Sequence, residues 1–282
     1  MKCILLGIVF FLGAYCGFAQ DAAEMINNAN EALKGKDYAK AFELYENAMK
    51  NLGDVQVDDA INFNIGFAAF QSDQYDAAIK YLDKAIAANA NVASAYEYKG
   101  NAYAKMDKYK EAIDSYKKAV DAGADNKGSL YYNAGIVAYK GGMYEQAAEL
   151  FGNAVAENYN GDNAIYYKAV SLKKLDKDDE YKQTLIEGAE KFPDNDKITS
   201  ALANVYVSEG NDLYKKGVAI INEANAKIKA GTLKTSDAGY TAEIDKSKVQ
   251  FKAALDVLQK AKALDASNAN AAKLIEACNA VL

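Results

Sequence analysis

Residues 94–125 read SAYEYKGNAYAKMDKYKEAIDSYKKAVDAGAD, and this stretch decides the fold. Gly100 is followed by Tyr109, Ala112, Tyr116 and Ala119, and the same register recurs on both sides. It appears upstream as Gly66, Tyr75, Ala78, Leu82 and Ala85, and downstream as Gly135, Tyr144, Ala147, Phe151 and Ala154. A weaker copy comes first, with Ala29 in the glycine column, then Tyr38, Ala41, Tyr45 and Ala48. Successive register tyrosines lie 37, 34 and 35 residues apart, and a fixed period in this range marks stacked supersecondary units. One such unit cannot bury its apolar face alone. Function is therefore expected on the extended surface of the stack, not in the cleft of a compact domain.

Each register residue has a physical reason. Gly100 and Gly135 let a neighbouring helix approach closely. Asp107-Lys108-Tyr109 reverses the chain, with the tyrosine packed back over the junction. Ala112 and Ala119 are small where helices cross, and Tyr116 is expected to fill the space between repeats. With these residues at these offsets, 94–125 resembles the tetratricopeptide repeat (TPR) family, and the resemblance extends over roughly residues 22–282. It implies an all-α, right-handed α-solenoid of about six helix–turn–helix repeats.

The fifth and sixth copies are worn. In the fifth, Ala169 takes the glycine column and Tyr181 and Gly188 the two alanine columns; Pro193-Asp194-Asn195 supplies the inter-repeat turn. The sixth opens with Ala203, Tyr206 and Gly210 and resumes only at Phe251, Ala254, Leu258 and Ala261. The intervening insertion, 211–250, has its own helical spacing. Leu213, Tyr214, Val218, Ile221, Ala224 and Ile228 form one stripe, and Tyr240, Ile244, Ser247, Phe251, Leu255 and Leu258 form the returning one. Residues 231–237 read as the turn between them, with Ser236 or Asp237 as helix N-cap. The sixth repeat is thus expected to extend into a projecting helical hairpin. Residues 269–282 carry Ala271, Leu274, Ile275 and Cys278 on one face and read as a C-terminal helix capping the stack.

Met1-Lys2 precedes an uncharged apolar run from Cys3 to Ala19, and Gly17-Phe18-Ala19 offers small residues where a signal peptidase reads. Residues 1–19 are read as a secretory signal peptide cleaved before Gln20, leaving 20–282 as a single solenoid domain. The protein is then exported, periplasmic or outer-membrane-associated, with no membrane span in the mature chain. Lipidation at Cys16 is the alternative, against which Tyr15 stands where such signals have a small residue. Cleavage removes Cys3 and Cys16 and leaves Cys278 alone, so no internal disulfide can form. Cys278 lies on the apolar stripe of the last helix and reads as a buried thiol.

The chain has no histidine, tryptophan or arginine; its 33 basic residues are all lysines, opposed by 39 acidic residues. Without histidine, the commonest general base and metal ligand are missing. An acidic net charge with scattered lysines argues against a nucleic-acid partner. Gly123 to Ser129 lacks the lysine of a phosphate loop, and Tyr181 occupies the place where the acidic run 176–180 would need glycine to act as a calcium loop. No enzyme activity, cofactor or metal is expected.

In the TPR geometry the first helix of each pair lines the concave face. The resemblance places there Phe63, Phe67 and Phe70 from the second repeat, and Tyr98, Asn101 and Lys105 from the third. The fourth adds Tyr132, Asn133 and Tyr139, and the fifth Tyr166, Tyr167, Lys173 and Lys174. Rings interspersed with Asn and Lys suit an extended peptide, since rings give contact area at low entropic cost and amides pair with its backbone. Inter-repeat packing is the other role open to them. Family members that clamp a terminal carboxylate use a Lys and two Asn; Asn101 and Asn133 match, but Glu97 stands where that Lys would be. The expected function is a non-catalytic adaptor or scaffold for a protein or peptide partner. The alternatives are a helical carbohydrate- or small-ligand-binding protein, and a homo-oligomer assembled through the 211–250 hairpin.

Overall fold

The computed structural model describes residues 9–53 and 55–282, with side chains from Asp21 onward. Among these residues there are thirteen α-helices and no strand, in two compact units, Met1–Asn160 and Gly161–Leu282. Residues 1–8 of the proposed leader lie outside the described residues, and 9–19 form the start of the first helix. No described helix is long and apolar enough to cross a membrane.

The first unit is four helix pairs. They are α1 (Val9–Lys34) with α2 (Tyr38–Lys50), α3 (Ile61–Gln71) with α4 (Tyr75–Ala87), α5 (Val92–Lys105) with α6 (Tyr109–Asp121), and α7 (Lys127–Lys140) with α8 (Tyr144–Ala156). Every intra-pair turn is built alike. Lys36, Asp73, Asp107 and Gly142 are left-handed, at φ 62, 61, 56 and 72°. The next residue donates its N–H five positions back, as in Lys108 N to Tyr103 O at 2.9 Å and Met143 N to Ala138 O at 2.9 Å. This closure satisfies carbonyls left open at a helix C-terminus and turns the chain into the second helix.

The glycine column is explained by what lies on it. A Cβ at Gly66, Gly100 or Gly135 would stand 2.8–2.9 Å from the side chain of Leu82, Tyr116 or Phe151, sixteen residues on in the partner helix. Tyr116 therefore packs flat on the backbone of its own pair, where the sequence reading expected it between repeats. The alanine columns, Ala78, Ala85, Ala112, Ala119, Ala147 and Ala154, are fully buried. Tyr109 sits over the junction as expected, 3.0–3.1 Å from where a Cβ on Gly141 of the following turn would be.

The second unit holds α9 (Gly161–Lys173), α10 (Asp178–Lys191), α11 (Asp196–Lys229), α12 (Ala238–Leu264) and α13 (Ala269–Asn279). Asn195, after the lone proline turn, caps α11 by accepting from the backbone of Lys197 and Ile198. α11 runs 34 residues without a break, so the sixth repeat and the insertion share one helix. Its buried small residues Ala203, Gly210, Gly217 and Ala224 lie seven apart. On α12, Ser247, Phe251, Ala254, Leu258 and Ala261 alternate by four and three.

The two rows mesh large against small: a Cβ on Gly210 would meet Leu258 at 2.6 Å, and one on Gly217 would meet Phe251 at 2.8 Å. This is an antiparallel heptad seam with close backbone approach. Leu213, Tyr214, Val218 and Ile221 flank the buried Phe251. At the tip Asp237 precedes α12, but its carboxylate accepts from Lys234 N at 2.8 Å and makes no cap bond to the helix. α13 closes the base of the hairpin with Ala271 beside Ala203 and Ala261, and with Cys278, fully buried, against Phe251 and Leu258.

Candidate functional site

The first helices of the pairs carry the proposed partner-binding residues, and the structure gathers four of them into one aromatic cluster. Phe63, Phe67 and Phe70 recur at four- and three-residue spacing, which puts them on one face of α3. α5 packs alongside and brings Tyr98 to that face. Its ring centroid lies 6.1 Å from Phe63, 4.9 Å from Phe67 and 5.6 Å from Phe70, in edge-on or tilted arrangements. All four rings are half-buried, so each packs on its neighbours and also keeps a surface to solvent. Burial, with a smaller contribution from the Glu97 carboxylate, pushes the Tyr98 hydroxyl above the ordinary phenol range.

Two rings extend the cluster that the sequence reading assigned only to turns. Tyr38 meets Phe67 at 5.6 Å and Tyr75 meets Phe70 at 5.9 Å. Each begins the second helix of its pair, and the shared turn geometry aims both back at the first helix. Their recurrence in the register column was the signal that could have found them.

The polar residues are engaged differently. Asn101 Oδ1 accepts the Tyr116 hydroxyl at 2.6 Å, and Asn30 Oδ1 accepts the Tyr45 hydroxyl in the same way at 2.6 Å. Asn101 thus satisfies a buried phenol of its own repeat. Glu97 accepts from Asn126 Nδ2 at 3.2 and 3.3 Å, and Lys105, the exposed last residue of α5, follows two turns after Tyr98. On α7, Tyr132 packs against Phe151 at 5.6 Å and Tyr159 at 5.9 Å, Tyr139 meets Tyr144 at 5.5 Å, and Asn133 is half-buried. These contacts tie the α7 rings to α8 and to Tyr159.

In the second unit, Tyr166 and Tyr167 lie 5.7 Å apart with Lys197 Nζ 5.9 Å over Tyr166. Lys173 pairs with Asp178 at 2.5 Å and lies over Tyr181; Lys174 is exposed. Lys173 also lines a recess of about 350 Å³ with Tyr181, Lys182, Asn204, Ser208 and Glu209, where Lys182 and Glu209 pair at 2.7 Å.

The family model described as a tetratricopeptide repeat-like domain matches residues 15–140, which spans most of the first unit and the aromatic cluster. The helix pairs within that range match the tetratricopeptide repeat pattern. Among solved structures, this chain is similar to a TPR repeats protein from Bacteroides fragilis, at 22% identity over 93% of this chain and 99% of that one, with a TM-score of 0.38. It is also similar to YrrB, described as a TPR protein with an unusual peptide-binding site, at 21% identity over 78% and 92% of the two chains, with a TM-score of 0.45. A third likeness is to the MamA protein, at 18% identity over 62% and 96%, with a TM-score of 0.50, and it supports the TPR fold alone. No curated protein matches the chain.

Proposed function

We propose that this TPR protein is an exported, non-catalytic adaptor that holds an extended segment of a protein partner on the first-helix face of its first unit. The supporting observation is the Phe63–Phe67–Phe70–Tyr98 cluster, in which α3 and α5 present half-exposed rings within 6.1 Å of Tyr98. Aromatic rings fixed by their neighbours lose little entropy on contact, and such residues dominate binding energy at protein interfaces. The anchor is an apolar or aromatic side chain of the partner, while Lys105 at the end of α5 and Asn133 on α7 meet its backbone and polar groups. A terminal carboxylate is not the anchor, because Asn101 is committed to Tyr116 and Glu97 brings negative charge to the clamp position.

Export rests on the apolar run before Gln20. N-terminal sequencing of the protein recovered from its native host tests it, with Gln20 the expected first residue and an intact Met1 the contrary result. The adaptor role is tested by Phe67→Ala and Tyr98→Ala. Each should weaken capture of the native partner by tenfold or more, on the order of 2 kcal/mol for a hot-spot ring, while helicity is retained.

A further inference from the structure

We infer that the second repeat holds a receptor site for a phenolic ring, distinct from the aromatic face, at Asn62 and Lys84. The repeats themselves supply the argument. Four residues before the glycine column stand Tyr96, Tyr131 and Ile165 in the third, fourth and fifth repeats, and Met25 in the first. The second repeat has Asn62 instead, a shorter and polar side chain at a position its siblings fill with bulk. Beside it is a recess of about 410 Å³ lined by Met49, Asp59, Asn62, Lys84, Ala87 and Ala88.

The third repeat shows how such a place is filled from within the chain. Lys118, two residues after Tyr116, lies 6.0 Å over the Tyr96 ring. Lys84, two residues after Leu82, is the same position in the second repeat and lines the recess. The cation is kept, 5.1 Å over the Tyr81 ring of its own helix, and the ring at the Tyr96 position is replaced by Asn62.

Asn62 also carries an unmet demand. It is 6% exposed, its Nδ2 donates to Asp59 O at 3.0 Å, and its buried Oδ1 has no hydrogen-bond partner. A buried carbonyl left unpaired is costly, and a donor that reaches it recovers that cost. The ligand that fits the three observations is an aromatic ring bearing an O–H. The ring occupies the space taken by Tyr96 in the next repeat, Lys84 lies over its face, and the hydroxyl donates to Asn62 Oδ1. A tyrosine of a partner polypeptide and a free small phenol share this chemistry.

Titration of the whole protein with p-cresol, toluene and N-acetyl-tyrosinamide, read by the backbone amide resonances of Ala87 and Ala88 in the recess wall, tests the assignment. p-Cresol should bind about fivefold more tightly than toluene, the worth of one hydrogen bond. In Asn62→Leu that preference should vanish, and Asn62→Tyr, which supplies the ring from within, should abolish binding of both. Equal binding of p-cresol and toluene to the wild-type protein, or binding of neither, overturns the proposal without relying on any variant. N-Acetyl-tyrosinamide binding as well as p-cresol supports the site with a polypeptide tyrosine as its source; binding of p-cresol alone supports it with a small phenol.

Discussion

The Tyr116 hydroxyl, on a side chain only 3% exposed, donates to Asn101 Oδ1 across its own helix pair at 2.6 Å. The same bond joins Tyr45 to Asn30, and where the aromatic position carries Leu82 or Phe151 the residue after the glycine column is Phe67 or Ile136 instead. Polar meets polar and apolar meets apolar, so the asparagine is set by the phenol it must satisfy. Asn101→Ala should destabilise the protein by about 1–3 kcal/mol, because it leaves a buried hydroxyl unpaired. Combining it with Tyr116→Phe should recover much of that loss. A double-mutant cycle in urea checks this, and additive losses would mean that Asn101 acts elsewhere.

A Cβ at Gly100 meets the Tyr116 ring at 2.9 Å, whereas one at Gly142, at φ 72°, meets nothing within 4 Å. Gly100→Ala should therefore overpack the helix crossing and cost about 1–3 kcal/mol. Gly142→Ala should cost about 1 kcal/mol through left-handed backbone strain alone. Chemical denaturation of both variants separates steric from conformational reasons for glycine.

The register was legible because each repeat solves one packing problem with the same residues, so Gly100, Ala112 and Ala119 mark the crossing in the sequence itself. The paired helices of the hairpin were legible from apolar spacing, but not their intimacy. That depends on Gly210 facing Leu258 and Gly217 facing Phe251, contacts 48 and 34 residues apart whose register no local pattern fixes. The site was less legible. Phe63, Phe67, Phe70 and Tyr98 do meet, but Asn101 looks like a ligand-binding amide until its neighbour is known, and Tyr38 and Tyr75 look like turn residues until the turn aims them.

The Tyr81 hydroxyl donates to Glu46 Oε1 at 2.5 Å, and that bond, ahead of the neighbouring lysines, holds the Glu46 carboxyl below its ordinary value. A depressed carboxylate stabilises the fold above its unfolded pKa, and that stabilisation fades as pH falls through the lower folded value. The stability lost in Tyr81→Phe should thus be larger at neutral pH than at pH near 3, as measured by thermal melts across that range. A difference that grows in acid would reverse the assigned role.

Gly217→Val should prise α11 from α12 at Phe251. Hydrogen exchange in the wild-type protein is expected to be slow through 213–228 and 240–250, since isolated helices of about 15 residues are marginal and mutual packing must hold them. In the variant those segments should exchange rapidly, while α3 to α8 keep their protection. Fast exchange of both segments in the wild type would show that the seam does not hold.

Site-specific photo-crosslinking tests the adaptor reading most directly. A benzoylphenylalanine placed at Phe67, within the Tyr98 cluster, is compared in the native host with one at Val249, which is 62% exposed on the hairpin's outer surface. The account predicts a discrete adduct with one partner polypeptide at position 67, lost when Tyr98→Ala is added, and none at 249. Adducts of equal yield at the two positions, or none at 67, would contradict it.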